Sequence, residues 1–208
     1  MNKILLIPGS FNPITNAHVD MALAAKKAVN ADIVYFIPAH DTYVAKKKTL
    51  IPGYCRVSLI NSMPNCEKDN IWALDIETTS FFPQRTYNTI TQLRDEAEKD
   101  YKFNEYYICL GMDNIKDLPA WYNWKPFVEE YQFVACVREG QKLETALNES
   151  GLMEYKDHFT EIRIPENHTS SSLVRNLCEK GEFDKVKQLV PENVYEYLIR
   201  FYDVMNRI

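Results

Sequence analysis

Two stretches far apart in the chain hold residues of the kind that grip a phosphate. Near the start, the apolar run Ile4–Ile7 leads into Pro8-Gly9-Ser10-Phe11-Asn12-Pro13-Ile14-Thr15-Asn16-Ala17-His18, after which the pattern turns helical. Where a strand of a parallel sheet passes through such a turn into a helix, free helix N–H groups and their partial positive charge face the carboxyl edge, where anions bind. A glycine at position 9 lets the backbone approach a phosphate that a side chain would obstruct. His18 falls in the first helical turn and is aimed at the same place; read alone, it serves equally well as a surface or capping histidine. The turn is neither G-x-G-x-x-G nor G-x-x-x-x-G-K-[ST], which removes the main support for a dehydrogenase or a P-loop enzyme.

Toward the other end, Thr169-Ser170-Ser171-Ser172-Leu173-Val174-Arg175 opens a second helix. Hydroxyls and unpaired N–H groups at a helix start, with Arg175 one turn in, form an anion cradle. The competing reading is a plain serine N-cap with Arg175 in solvent. Between the two stretches, Ala39–Pro52 is the longest irregular segment and carries Lys46-Lys47-Lys48, either a lid or phosphate clamp or a solvated charge run. Thr86-Tyr87-Asn88-Thr89-Ile90 reads as a helix start with Thr86 as a good N-cap, and Asp113, in Gly111-Met112-Asp113-Asn114, as the cap of a helix that follows a strand. Trp121 and Trp124, one turn apart, offer flat faces for stacking, with a place in the core as the alternative for each.

The elements that must position these residues alternate. Apolar runs Ile4–Ile7, Ile33–Ile37, Ile71–Leu74, Tyr106–Leu110, Gln132–Val137 and Glu161–Ile164 predict strands. Helical periodicity between them covers Val19–Ala28, Tyr54–Met63, Thr86–Asp100, Pro126–Tyr131 and Leu143–Leu147. That alternation predicts an α/β fold, a Rossmann-like parallel sheet flanked by helices. Beyond Ile164 the pattern is helix only: Ser170–Lys180 ending at Gly181, a short turn around Val186–Leu189, and Pro191–Met205. A single domain over residues 1–208 follows, with an α/β core over 1–165 and a C-terminal helical part over 166–208 that packs on the sheet.

Taken in order, these segments resemble the nucleotidylyltransferase superfamily, and specifically the nicotinamide/nicotinate mononucleotide adenylyltransferases. Gly9–His18 matches the G-S-F-N-P-x-T-N-x-H form of the eukaryotic members, with Thr15 and Ala17 where the wider superfamily has the first His and the Gly of H-x-G-H. Thr169–Arg175 resembles I-S-S-T-x-I-R, Thr86–Ile90 resembles T-Y-D-T-[IL], Gly111–Asp113 resembles G-x-D, and Leu118-Pro119-Ala120-Trp121 resembles L-P-x-W. Asn123-Trp124-Lys125 is similar to the eukaryotic placement of the stacking tryptophan.

The resemblance implies transfer of AMP from ATP to nicotinamide or nicotinate mononucleotide, giving NAD or its deamido form and pyrophosphate. It implies His18, Arg175 and either Lys46 or Lys47 as catalytic groups. ATP would be held by Gly9, Ser10, Phe11, His18, Gly111, Asp113, Ser170, Ser171, Ser172 and Arg175. The mononucleotide would meet Ser10, Phe11, Thr86 and either Trp121 or Trp124. Mg²⁺ would arrive on ATP and leave on pyrophosphate, with no metal site of the protein's own. Eukaryotic-type features at 9–18 beside bacterial-type ones at 111–121 leave both acceptors open. Another nucleotidylyltransferase, acting on phosphopantetheine or a phosphoalcohol, and a non-catalytic nucleotide-binding or chaperone-like module are the alternatives.

Bulk composition agrees. A net charge of −5 argues against broad capture of nucleic acid while allowing a local basic groove. Five scattered cysteines without C-x-x-C spacing predict reduced structural thiols, and no apolar run approaches the ~20 residues of a membrane span, so no membrane partner and a cytoplasmic or nuclear enzyme are expected. Thirteen tyrosines serve a core or an interface, which leaves a homo-oligomer open.

Overall fold

The computed structural model describes residues 1–44, 50–164 and 169–205. Lys46 and Lys47 lie outside the described residues. Six strands, β1 (Asn2–Gly9), β2 (Ile33–Pro38), β3 (Ile71–Ala73), β4 (Asn104–Gly111), β5 (Gln132–Val137) and β6 (Phe159–Arg163), form one parallel sheet in the order β3-β2-β1-β4-β5-β6. This is the strand order of doubly wound nucleotide-binding sheets. The helices are α1 (Asn16–Val29), α2 (Asp41–Val44), α3 (Gly53–Asn61), α4 (Cys66–Asp69), α5 (Thr86–Lys99), α6 (Met112–Asp117), α7 (Trp124–Glu130), α8 (Leu143–Glu149), α9 (Ser171–Glu179), α10 (Phe183–Val186) and α11 (Glu192–Met205). No described helix is long and apolar enough to cross a membrane.

The chain divides into two compact units. Unit 1 comprises Met1–Pro8, Met21–Tyr35 and Gln84–Glu166; unit 2 comprises Gly9–Asp20, Phe36–Pro83 and Asn167–Ile208.

In unit 1, β1 pairs with β4, β4 with β5 and β5 with β6, in registers that set Leu5 opposite Tyr107, Cys109 opposite Val134 and Ala135 opposite Glu161. Parallel strands covered on both faces need apolar residues on both. Ile4, Leu5, Leu6 and Ile7 are accordingly buried in succession, as are Phe133–Val137. Each Ile, Leu, Val and Phe among them contributes about 1.5–3 kcal/mol by leaving water. Phe133 is gripped between Phe127 of α7, edge-on at 5.1 Å, and Phe159 of β6, stacked at 5.1 Å. All five cysteines are free thiols, and the buried Cys109 and Cys136 place their sulfur atoms 3.2 Å apart across neighbouring strands. Burial and that contact push the Cys109 thiol well up from its ordinary range.

In unit 2 the C-terminal helices fix the ends of others. Val194, Leu198 and Tyr202, four residues apart, bury one stripe of α11. Asn193 donates from Nδ2 to the Leu59 carbonyl at 2.8 Å and to the Ser62 hydroxyl at 2.9 Å, holding the end of α3. The Asn16 N–H, the first of α1, donates to Leu189 O at 2.9 Å. Helix α9 stops as its sequence indicates: Gly181 takes φ 74°, and the Glu182 N–H returns to the Leu177 carbonyl.

Several local expectations change. The segment 39–52 is not wholly irregular, since Asp41–Val44 forms α2, whose start His40 caps by accepting the Thr42 N–H. The turn expected at Val186–Leu189 is preceded by helix α10, which ends at Val186. Thr86 is not a cap: Arg85 takes that position and Thr86 is the first helical residue. Gly111, not Asp113, precedes α6, and Asp113 sits in its first turn.

Candidate active site

Unit 2 brings together the two stretches expected to grip a phosphate. Ser171 donates its hydroxyl to the Pro13 carbonyl at 2.8 Å, and the Arg175 guanidinium donates to the Asn12 carbonyl at 2.6 Å and to the Ser172 hydroxyl at 2.9 Å. Arg175 is therefore half-buried and anchored on the Gly9–His18 turn, against the reading that leaves it in solvent. Ser170 is the N-cap of α9 in extended conformation, its hydroxyl accepting the Leu173 N–H at 3.1 Å. That bond satisfies one of the amide donors that a helix start leaves without an intrahelical partner.

Local sequence shapes the turn itself. Phe11 adopts φ 42°, a left-handed value that costs a residue with a large side chain about 1–3 kcal/mol. Its buried ring is held edge-on by His18 at 5.3 Å and by Phe36 at 5.0 Å. The same ring lies so close over Gly9 that a Cβ there would come within 2.8 Å of Phe11 Cζ. A side chain at position 9 would thus force its own neighbour to shift, whatever ligand the turn meets. Asn12, fully buried, accepts the Ile51 N–H at 2.9 Å through Oδ1 and so ties the turn to the segment entering α3.

His18 is oriented by Thr15. The Thr15 N–H donates to His18 Nδ1 at 3.0 Å, and the Thr15 hydroxyl lies 2.8 Å from the same nitrogen. A nitrogen that accepts an N–H carries no proton, so in the neutral ring the proton resides on Nε2. Thr15 itself is fully buried and shapes the histidine.

Arg56 is a group the motif reading missed. It is 1% exposed and donates Nε to Ile51 O at 3.0 Å, Nη1 to Ser10 O at 2.7 Å, and Nη2 to both Ala39 O at 2.7 Å and Asp41 Oδ1 at 2.6 Å. Asp41 Oδ2 also accepts the Gly53 N–H at 3.2 Å, at the start of α3. An arginine at a helix start carries no signal of such burial; only the path of the surrounding carbonyls creates it.

The remaining expected residues stand in unit 1. Gly111 and Asp113 occupy the end of β4 and the first turn of α6, with Asp113 exposed and open space where a Gly111 Cβ would lie. Trp121 is half-exposed and stacks one face on Phe127, 6.4 Å away at 19°. Trp124, the first residue of α7, meets Tyr155 edge-on at 6.3 Å. Thr86 opens α5, where Tyr87 donates to Glu130 at 3.0 Å.

Residues 6–177 match the family described as Cytidylyltransferase-like. A protein of Dehalococcoides mccartyi named "Probable nicotinate-nucleotide adenylyltransferase" is 30% identical over 197 residues, 94% of each chain. Among solved structures, the Plasmodium falciparum nicotinic acid mononucleotide adenylyltransferase complexed with APC superposes with a TM-score of 0.74 at 22% identity, covering 98% of both chains. The same enzyme complexed with NaAD gives 0.73 at 22% identity. The fold is thus that of the solved enzymes, and on the family match and the relative's identity the chain belongs to the nicotinate-nucleotide adenylyltransferases of the cytidylyltransferase-like family.

Proposed function

We propose that this chain transfers AMP from ATP to nicotinate mononucleotide, forming the deamido dinucleotide and pyrophosphate, with nicotinamide mononucleotide as the alternative acceptor. The observation that carries the reading is the union, within unit 2, of the Gly9–His18 turn with the start of α9 through the Arg175–Asn12 and Ser171–Pro13 hydrogen bonds. The names of the relatives favour nicotinate.

In this reading an acceptor phosphate oxygen forms a bond to the α-phosphorus while the bond from that phosphorus to the bridging oxygen breaks. Pyrophosphate leaves with the electron pair. Such transfers rest on alignment and on neutralising charge at the non-bridging oxygens. The Nε2–H of His18, the Ser171 and Ser172 amides and the Arg175 guanidinium supply fixed donors, with Lys46 or Lys47 as a further cation. Mg²⁺ comes bound to ATP as part of the substrate and screens the phosphate oxygens. Asp113 accepts from a ribose hydroxyl, Thr86 meets the pyridine substituent, and the face of Trp121 opposite Phe127 stacks on the pyridine ring. Five free thiols support a reducing compartment, the cytoplasm or nucleus.

The test is steady-state kinetics with MgATP and either mononucleotide, following pyrophosphate. Release with nicotinate mononucleotide at the higher kcat/KM is expected. Release only with phosphopantetheine or a phosphoalcohol would replace the acceptor, and ATP binding without release from any of them would make the chain a binding module.

A further inference from the structure

We infer that Arg56 is a positioning residue for the nucleotidyl transfer, fixing the direction of the Ser10–Phe11 peptide and the two ends of the segment that joins β2 to α3. The inference rests on the function proposed above. A guanidinium presents its N–H groups as a rigid fork. Here the fork is filled from separate pieces of chain: the nucleotide turn through Ser10 O, the exit of β2 through Ala39 O and Asp41, and the entry to α3 through Ile51 O. Asp41 balances the buried cation and, with its second oxygen, holds the Gly53 N–H.

Geometry turns this strut into a functional part. In a trans peptide the C=O and N–H point in opposite directions. Arg56 draws the Ser10 carbonyl toward itself at 2.7 Å, so the Phe11 N–H of the same peptide is directed away from Arg56. Arg175 and Ser171 hold two further carbonyls of the turn, those of Asn12 and Pro13. The Ser10, Asn12 and Pro13 carbonyls are thereby engaged by the protein's own donors and withheld from a phosphate, which they would repel. Phe11, strained at φ 42°, needs such external holding to keep its conformation. Lysine cannot do the same work, because a compact ammonium does not reproduce the planar fork that spans these separated carbonyls.

The test compares wild type with Arg56→Lys, Arg56→Ala and Asp41→Asn, each checked for folding by circular dichroism and thermal melting. Wild-type pyrophosphate release is measured first, so failure of the proposed function appears there and failure of this inference only in the variants. Arg56→Lys is expected to lower kcat by about 10- to 100-fold, the scale of an ångström-sized misplacement, with the KM for ATP within about threefold of wild type. Arg56→Ala is expected to regain turnover saturably with millimolar guanidinium chloride but not with urea or sodium chloride, because the vacated site keeps the carbonyls and the carboxylate. A strut that served stability alone would be weakened further by guanidinium. Folded Arg56→Lys with wild-type kcat, or folded Arg56→Ala that guanidinium does not revive, overturns the inference. If neither arginine variant folds, Asp41→Asn decides: a kcat lowered severalfold at unchanged KM supports it, and unchanged kcat overturns it.

Discussion

Thr15 sets the tautomer of the neutral His18 ring, because its N–H donates to Nδ1 and so keeps the proton on Nε2. One preorganised donor to the transferring phosphoryl group is worth about 10²–10³ in rate. His18→Ala is therefore expected to lower kcat by about that factor while leaving ATP binding weaker but measurable, since Arg175 and the α9 amides remain; near-normal turnover would take His18 out of the mechanism. Trp121 is judged differently, by the stacking of its half-exposed indole. Phe127 stacks on one side of the indole, and stacking plus a cation–π term on a charged pyridine ring is worth about 1–2 kcal/mol. Trp121→Ala should raise the mononucleotide KM about tenfold with ATP affinity little changed. Should that KM stay at its wild-type value while Trp124→Ala raises it, the stacking role passes to Trp124.

At the scale of elements, the β1-to-α1 connection is a packed object rather than a flexible loop: Phe11 closes on Gly9, His18 and Phe36. Gly9→Ala puts a methyl 2.8 Å from a buried ring already packed edge-on by His18 and Phe36, an overpacking cost of about 1–3 kcal/mol. A lower melting temperature together with reduced turnover is expected, and a variant that melts like wild type would mean that the ring yields without cost. This also marks what the chain made legible. The alternation of β1, β4 and β5 with helices was readable because buried parallel strands leave unbroken apolar runs, and the stop of α9 was readable at Gly181. Helices α2, α4 and α10 were not, because four residues make a single turn, too short to show an apolar period. The motifs located the turn and the serine run, but the tasks of Asn12, Thr15 and Arg56 depend on carbonyls and amides contributed by other segments, and side-chain identity along one line of sequence does not encode those.

For the molecule as a whole, charge and binding pull in opposite directions. The chain carries −5 and its proposed substrate is a polyanion, so affinity must come from short-range donors such as Arg175 and the start of α9. The general field fades within about 8 Å at physiological salt, which makes that division workable. A ligand that binds only the folded state stabilises it by about 2.7 kcal/mol at a hundredfold excess over Kd. For a domain of this size each kcal/mol moves Tm by about 2–4 °C, so saturating MgATP should raise the melting temperature by roughly 5–10 °C. Adenosine, lacking the phosphates, should give little shift at the same concentration. Arg175→Ala should lose most of the MgATP shift, and because Arg175 also ties α9 to the Asn12 carbonyl, its melting temperature without nucleotide should fall as well. The two effects separate cleanly in calorimetry, one as a change in the unliganded midpoint and the other as a change in the increment. An undiminished increment in the variant would show that the phosphates are held elsewhere, and would move the anion site away from the start of α9.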